Sequence, residues 1–180
     1  GWLPKTEGLT GTDKQFDDKL TSGLAWDLAF HHYIKNFGWG IFYSGYSSDS
    51  YYEKTNMDHN VLLSYIAPLF CTKYSFNKKW MINGEVGVGY LKFSDKISSG
   101  IEKGKTYVST VGFNYGIGIE YKLNKHMGIG ISFNEIVGSA FLKNIKMENV
   151  HSIIAYNDYD RINLNRLNLL GGIRFYFGDR

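Results

Sequence analysis

Six ionisable residues, Asp27, His31, Glu85, Glu120, Lys122 and Arg174, stand where a two-residue alternation gathers them on one face of neighbouring strands. Carboxylates, an imidazole and two cations held together could relay a proton, line an ion path or neutralise one another as ion pairs. Their neighbours on that face are mostly Gly, Ala, Asn and Ser, as in "WMINGEVGVGY", which suits a narrow, crowded space. An isolated ion in such a space costs several kcal/mol, so pairing is the first expectation. Strand directions bring His31, Glu85, Glu120 and Arg174 to the same end, where Arg174 is expected to pair with Glu120 or Glu85.

Other chemistries find less support. His31 and His32 are adjacent, and neighbours in a strand point to opposite faces, so they cannot share a metal ion. Acyl transfer needs a nucleophile and a base within hydrogen-bond reach. Ser132 shares no level and face with a histidine, His126 falls in a turn, and Ser64 and Ser109 have no convincing partner. The single cysteine, Cys71, excludes an internal disulfide and a cysteine-based zinc site. The sequence therefore predicts neither catalysis nor a metal or other cofactor. A net charge of +3, with basic residues scattered singly or in short clusters such as "KNIK" and "EKGK", predicts no nucleic-acid partner.

The elements that must position these residues are strands. In "VGFNYGIGIEYKLNKHMGIGISF" one register reads Val111, Phe113, Tyr115, Ile117, Ile119, Tyr121 and the other Gly112, Asn114, Gly116, Gly118, Glu120, Lys122. After "NKH" the pattern resumes with Met127, Ile129, Ile131 and Phe133. Such alternation is the mark of a β-strand. Five further segments behave the same way: "GLAWDLAFHHYIK", "GWGIFYSGY", "HNVLLSYIAPLFCTKYSF", "WMINGEVGVGYLKF" and "RLNLLGGIRFYF". A 17% aromatic content with 21 Gly and only 2 Pro suits an all-β chain with closely approaching backbones. No linker or composition shift divides residues 1–180, which read as a single domain.

Short breaks ("KNF", "NKK", "NKH") alternate with long polar ones ("SSDSYYEKTNMD", "SDKISSGIEKGK" and residues 138–163), the rhythm of an up-and-down meander. No apolar run reaches the ~18 residues of a spanning helix, since "VLLSYIAPLF" is broken by Ser64 and Pro68. Strands of about 11 to 16 residues can instead cross a ~25 Å apolar band at a ~40° tilt. Seven strands cannot close an antiparallel barrel of the usual even count. Lys5–Ser22 reads as another long loop, so an eight-stranded barrel is expected whose first strand is largely missing from the chain. The small-residue face suits the inside of such a barrel. The apolar face carries aromatics toward its ends: Trp39, Trp80, Tyr121, Phe175 and Phe177 near the short turns, Tyr43, Tyr90 and Tyr107 near the long connections. Rings at two levels are expected of girdles in the headgroup zones of a membrane.

The stretches "YIAPLF" and "KYSFNKKW" and the closing strand "GGIRFYF" give the chain its resemblance to the small outer-membrane β-barrel proteins of Gram-negative bacteria. The type is OmpA/OmpX-like, and in detail similar to the barrel proteins abundant in the Bacteroidetes. The resemblance implies a transmembrane barrel in the cell outer membrane, with long loops extracellular and short turns periplasmic. It implies partnership with outer-membrane lipid and with the machinery that inserts such barrels, through an assembly signal formed by Gly172, Phe175 and Phe177. Gly178, Asp179 and Arg180 follow here, where the family often ends on the aromatic. The expected role is non-enzymatic: a plugged polar interior with a structural or cell-surface function. Its extracellular partner would meet the long loops bearing Tyr46, Tyr51, Tyr52, Tyr156 and Tyr159. Two alternatives are a small-solute, porin-like pore and a soluble, lipocalin-like binding barrel.

Overall fold

The computed structural model describes residues 23–52, 57–99, 102–141, 146–148 and 161–177. They form an all-β, antiparallel, up-and-down sheet of eight strands. These are β1 (Leu24–Ile34), β2 (Phe37–Tyr52), β3 (Met57–Ser75), β4 (Trp80–Ser99), β5 (Glu102–Lys122), β6 (Met127–Phe141), the short β7 (Lys146–Glu148) and β8. Strand β8 has two segments, Arg161–Asn163 and Arg166–Phe175, that pair with β6 in one register. Between the segments, Leu164 N–H donates to Gly138 O at 2.9 Å and Gly138 N–H donates to Asn165 Oδ1 at 3.0 Å, so the ladder is bridged rather than broken. The expected earlier strand and the polar stretch Lys5–Ser22 lie outside the described residues, as do Tyr156 and Tyr159.

The short turns are written in the sequence. Asn77 Oδ1 accepts from Lys79 N–H (2.8 Å) and Trp80 N–H (2.7 Å), and Asn124 Oδ1 accepts from His126 N–H (2.8 Å) and Met127 N–H (2.9 Å). "NKK" and "NKH" are thus the same device, an Asn side chain that caps its own turn. The β1–β2 turn spans only Lys35 and Asn36, with Lys35 at φ 61°. A tight hairpin favours positive φ in its loop, and an L side chain resists it. Lys35→Gly should therefore stabilise the fold by about 1 kcal/mol, read as a shift of the urea midpoint.

The long polar connections differ from expectation. "SSDSYYEKTNMD" and "SDKISSGIEKGK" are mostly strand: β2 runs to Tyr52, β3 starts at Met57, β4 runs to Ser99 and β5 starts at Glu102. Polar composition reads as loop, but cross-strand pairs carry the ladder onward. Asn60 donates to Asp49 across β2–β3, and His59 Nδ1 lies 3.0 Å from Asp95 Oδ2 across β3–β4. Inward Ser48, Val61, Ser94 and Val108 are buried there. Tyr46, expected among the loop aromatics, is an inward residue of β2 and only 2% exposed.

The sheet curls until side chains of distant strands meet. His31 of β1 reaches Glu85 of β4, and Arg166 of β8 donates to Ser44 of β2. The outer face carries the apolar set: Ile117 is 59% exposed, and Trp39, Phe70, Val88, Ile131 and Phe175 are exposed likewise. The interior is divided. Toward the short turns it is polar, whereas toward the long connections it is an apolar core of Phe42, Tyr46, Val61, Leu63, Tyr65, Leu69, Leu91, Val108, Ile136 and Leu164. The polar interior expected from the sequence is therefore found in the short-turn half, and the other half is apolar. Strand β3 is apolar on both faces, and its inward half (Val61, Leu63, Tyr65, Ala67, Leu69) builds much of the core.

Strands β1 and β8 approach one another, but among the described residues no ladder joins them. Both run from the long-connection rim to the short-turn rim, so their directions do not suit an antiparallel ladder.

Candidate functional site

The inward charges form two centres. In the first, near the short turns, Arg174 Nε lies 3.0 Å from Glu120 Oε2, and Asn83 Nδ2 donates to the same oxygen at 3.4 Å. His31 Nε2 lies 3.0 Å from Glu85 Oε2, whose other oxygen accepts from Asn134 Nδ2 at 3.3 Å. Lys122 sits at the rim with its Nζ 5.5 Å from the Tyr176 ring, and Lys73 Nζ stands 4.4 Å above Tyr33. Glycines on β5 and β6 make the room. A Cβ at Gly118 would meet Asn83 Oδ1 at 2.6 Å, and one at Gly128 would meet Tyr176 Oη at 2.6 Å.

The second centre lies within the apolar part of the interior, at the level of Tyr65 and Ile136. Ser44 Oγ donates to Asp27 and accepts from Arg166, whose guanidinium sits 5.5 Å from the Tyr46 ring. Arg166 is only 2% exposed, and Asn168, two residues on, is fully buried. Arg166 was missed as a site residue from sequence. The signal that could have found it is its two-residue spacing from Asn168 and its shared face with Arg174. Of the six charges, the structure therefore brings His31, Glu85, Glu120 and Arg174 together, gives Asp27 a different cation, and leaves Lys122 at the rim.

The outward aromatics are likewise distributed. Trp80 and Tyr121 are register partners with ring centroids 4.9 Å apart, and Lys79 Nζ lies 5.5 Å over Tyr121. Trp39 packs 5.4 Å from His32, which points outward. Phe175 and Phe177 are exposed at the end of β8, with Phe175 opposite Met127 and Gly172 opposite Gly130. Trp26 meets Tyr43 at 5.1 Å, toward the other end of the apolar face.

Chemically, the arrangement neutralises charge. Among the described residues no three His, Cys, Asp or Glu side chains converge as metal ligands, and Ser132 makes no hydrogen bond to a histidine. Comparison with protein-family models, with curated proteins and with solved structures finds no match to this chain.

Proposed function

We propose that this chain is an integral outer-membrane β-barrel protein of the OmpA/OmpX-like kind. Its outer face meets lipid and its interior is sealed, giving it a structural or cell-surface role without catalysis. The observation that carries the reading is the inverted distribution of side chains: the charges of the short-turn half are inward and paired, while a field of Trp, Phe, Ile, Val and Leu faces out, interrupted on β6 by Glu135, which accepts from Tyr115 Oη. A soluble protein rarely exposes an apolar patch beyond a few hundred Å², so water is a poor solvent for this surface. From Trp80 to Tyr90, at ~3.3 Å per residue and ~40° tilt, the exposed row on β4 rises about 25 Å, the height of an outer-membrane apolar band. Open edges are costly in lipid. Closure by one more strand, running from the short-turn rim to the long-connection rim between β1 and β8, would be antiparallel to both.

Flotation tests insertion: the chain should migrate with phospholipid vesicles and resist extraction by urea, whereas recovery in the soluble fraction would contradict the reading. Replacing Ile119, outward between Ile82 and Ile131, sharpens the test. Ile119→Arg, about 5 Å inside the Tyr121 level, should cost about 1–2 kcal/mol in vesicles, between the interface and midplane values. An unchanged folded fraction would mean that the outer face meets water, as in a lipocalin-like barrel.

A further inference from the structure

The outer face is not a smooth wall. Strands β5 and β6 pair from Lys122↔Gly128 up to Gly112↔Gly138 and then part: β5 continues beside β7, while Ser139–Phe141 continues beside the first segment of β8. The fork opens an outward cleft of about 560 Å³. Its lower part is apolar, lined by Val88, Val111, Phe113 and Val137, and its upper rim carries Arg161, Asn163 and Asn165. Among the described residues no acidic side chain lines it. The rim is held in place by its own carbonyl oxygens. Asn165 Oδ1 accepts from Gly138 N–H and Asn163 Oδ1 accepts from Asn165 N–H at 2.9 Å. Both side-chain amide nitrogens are left as donors. Arg161 stacks on Phe141, its guanidinium carbon 4.2 Å from the ring centroid, an arrangement that orients the planar cation while leaving its edge free to donate.

We propose that this fork is a binding site for one anionic membrane lipid, with an acyl chain in the apolar cleft and the phosphate against Arg161, Asn163 and Asn165. The inference rests on the membrane reading above. Two features select this occupant. The apolar part opens sideways on the lipid-facing surface, where a chain can enter from the bilayer without leaving it. The cation and the amide donors sit at the long-connection end of the apolar field, level with the end of the exposed row at Tyr90 and Val111, where headgroups would lie. A planar guanidinium beside neutral donors suits a phosphate oxygen cluster.

The test uses the full chain in vesicles of dioleoylphosphatidylcholine containing a minor fraction of dioleoylphosphatidylglycerol, extracted in mild detergent and weighed by native mass spectrometry. One phosphatidylglycerol should remain bound in preference to phosphatidylcholine. Arg161→Gln should reduce that retention about fivefold. Val111→Trp, which fills the cleft from an exposed position, should abolish retention of either lipid. Flotation of the same samples separates the two levels of inference. Vesicle-bound protein that retains both lipids equally, or neither, overturns the site alone, whereas protein that does not float overturns the membrane reading and the site with it.

Discussion

Arg174→Glu should destabilise the folded chain by about 4 kcal/mol, seen as a lower urea midpoint of tryptophan fluorescence. Glu120 is 2% exposed, and its Oε2 depends on Arg174 Nε at 3.0 Å and Asn83 Nδ2 at 3.4 Å. Reversing the charge removes the cation and sets a second carboxylate against one that has no water to turn to. The exchange of both partners, Arg174→Glu with Glu120→Arg, should recover a substantial part of the loss, because attraction returns while the geometry is only approximately kept. An unchanged midpoint for Arg174→Glu would show that the pair contributes nothing to folding.

The second large effect concerns the apolar half of the interior. Tyr65 is fully buried, its ring 6.1 Å from Phe42 and its hydroxyl 3.0 Å from Asn114 Oδ1 and 3.3 Å from the carbonyls of Gly87 and Gly112. One side chain thus ties β3 to β4 and β5 along the inner wall. Tyr65→Ala should cost about 4 kcal/mol through the cavity it leaves. Tyr65→Phe keeps the ring and should cost only about 1 kcal/mol. In planar bilayers the unaltered chain and Tyr65→Phe should be silent, while Tyr65→Ala should give discrete conductance steps. Conductance steps in the unaltered chain would favour the pore reading, and silence in Tyr65→Ala would mean that the apolar core is not the seal.

The strand alternation was legible wherever one face was apolar and the other small. That condition holds in β5 and β6, where Ile117, Ile119 and Ile131 point out and Glu120 points in, and in the second segment of β8, where Arg174 lies on the face of Glu120. It fails in β3. Leu62, Ile66 and Phe70 face out while Leu63, Tyr65 and Leu69 face in, so periodicity carries no information about which row builds a core. The apolar half of the interior was hidden for that reason. Arg166 escaped notice differently. The alternation through Asn168, Gly172 and Arg174 puts it on the inward face, but it opens its strand segment, where a charge reads as part of the rim rather than of the interior. The strand extensions beyond Ser47 and Ser94 were masked by composition. Ser and Asp are turn formers in isolation, yet here they occupy ladder positions stabilised by the cross-strand contacts Asp49–Asn60 and His59–Asp95.

Whether the apolar face meets lipid can be reported by the tryptophans it carries. Trp26, Trp39 and Trp80 are outward and exposed, and Trp2→Phe removes the fourth. The decisive measurement is fluorescence quenching in vesicles whose phospholipids carry bromines either near the headgroup or deep in the chains. Strong quenching by both is expected, greater for the shallow bromines, with little effect of aqueous iodide. Quenching by iodide with no response to either brominated lipid would contradict it.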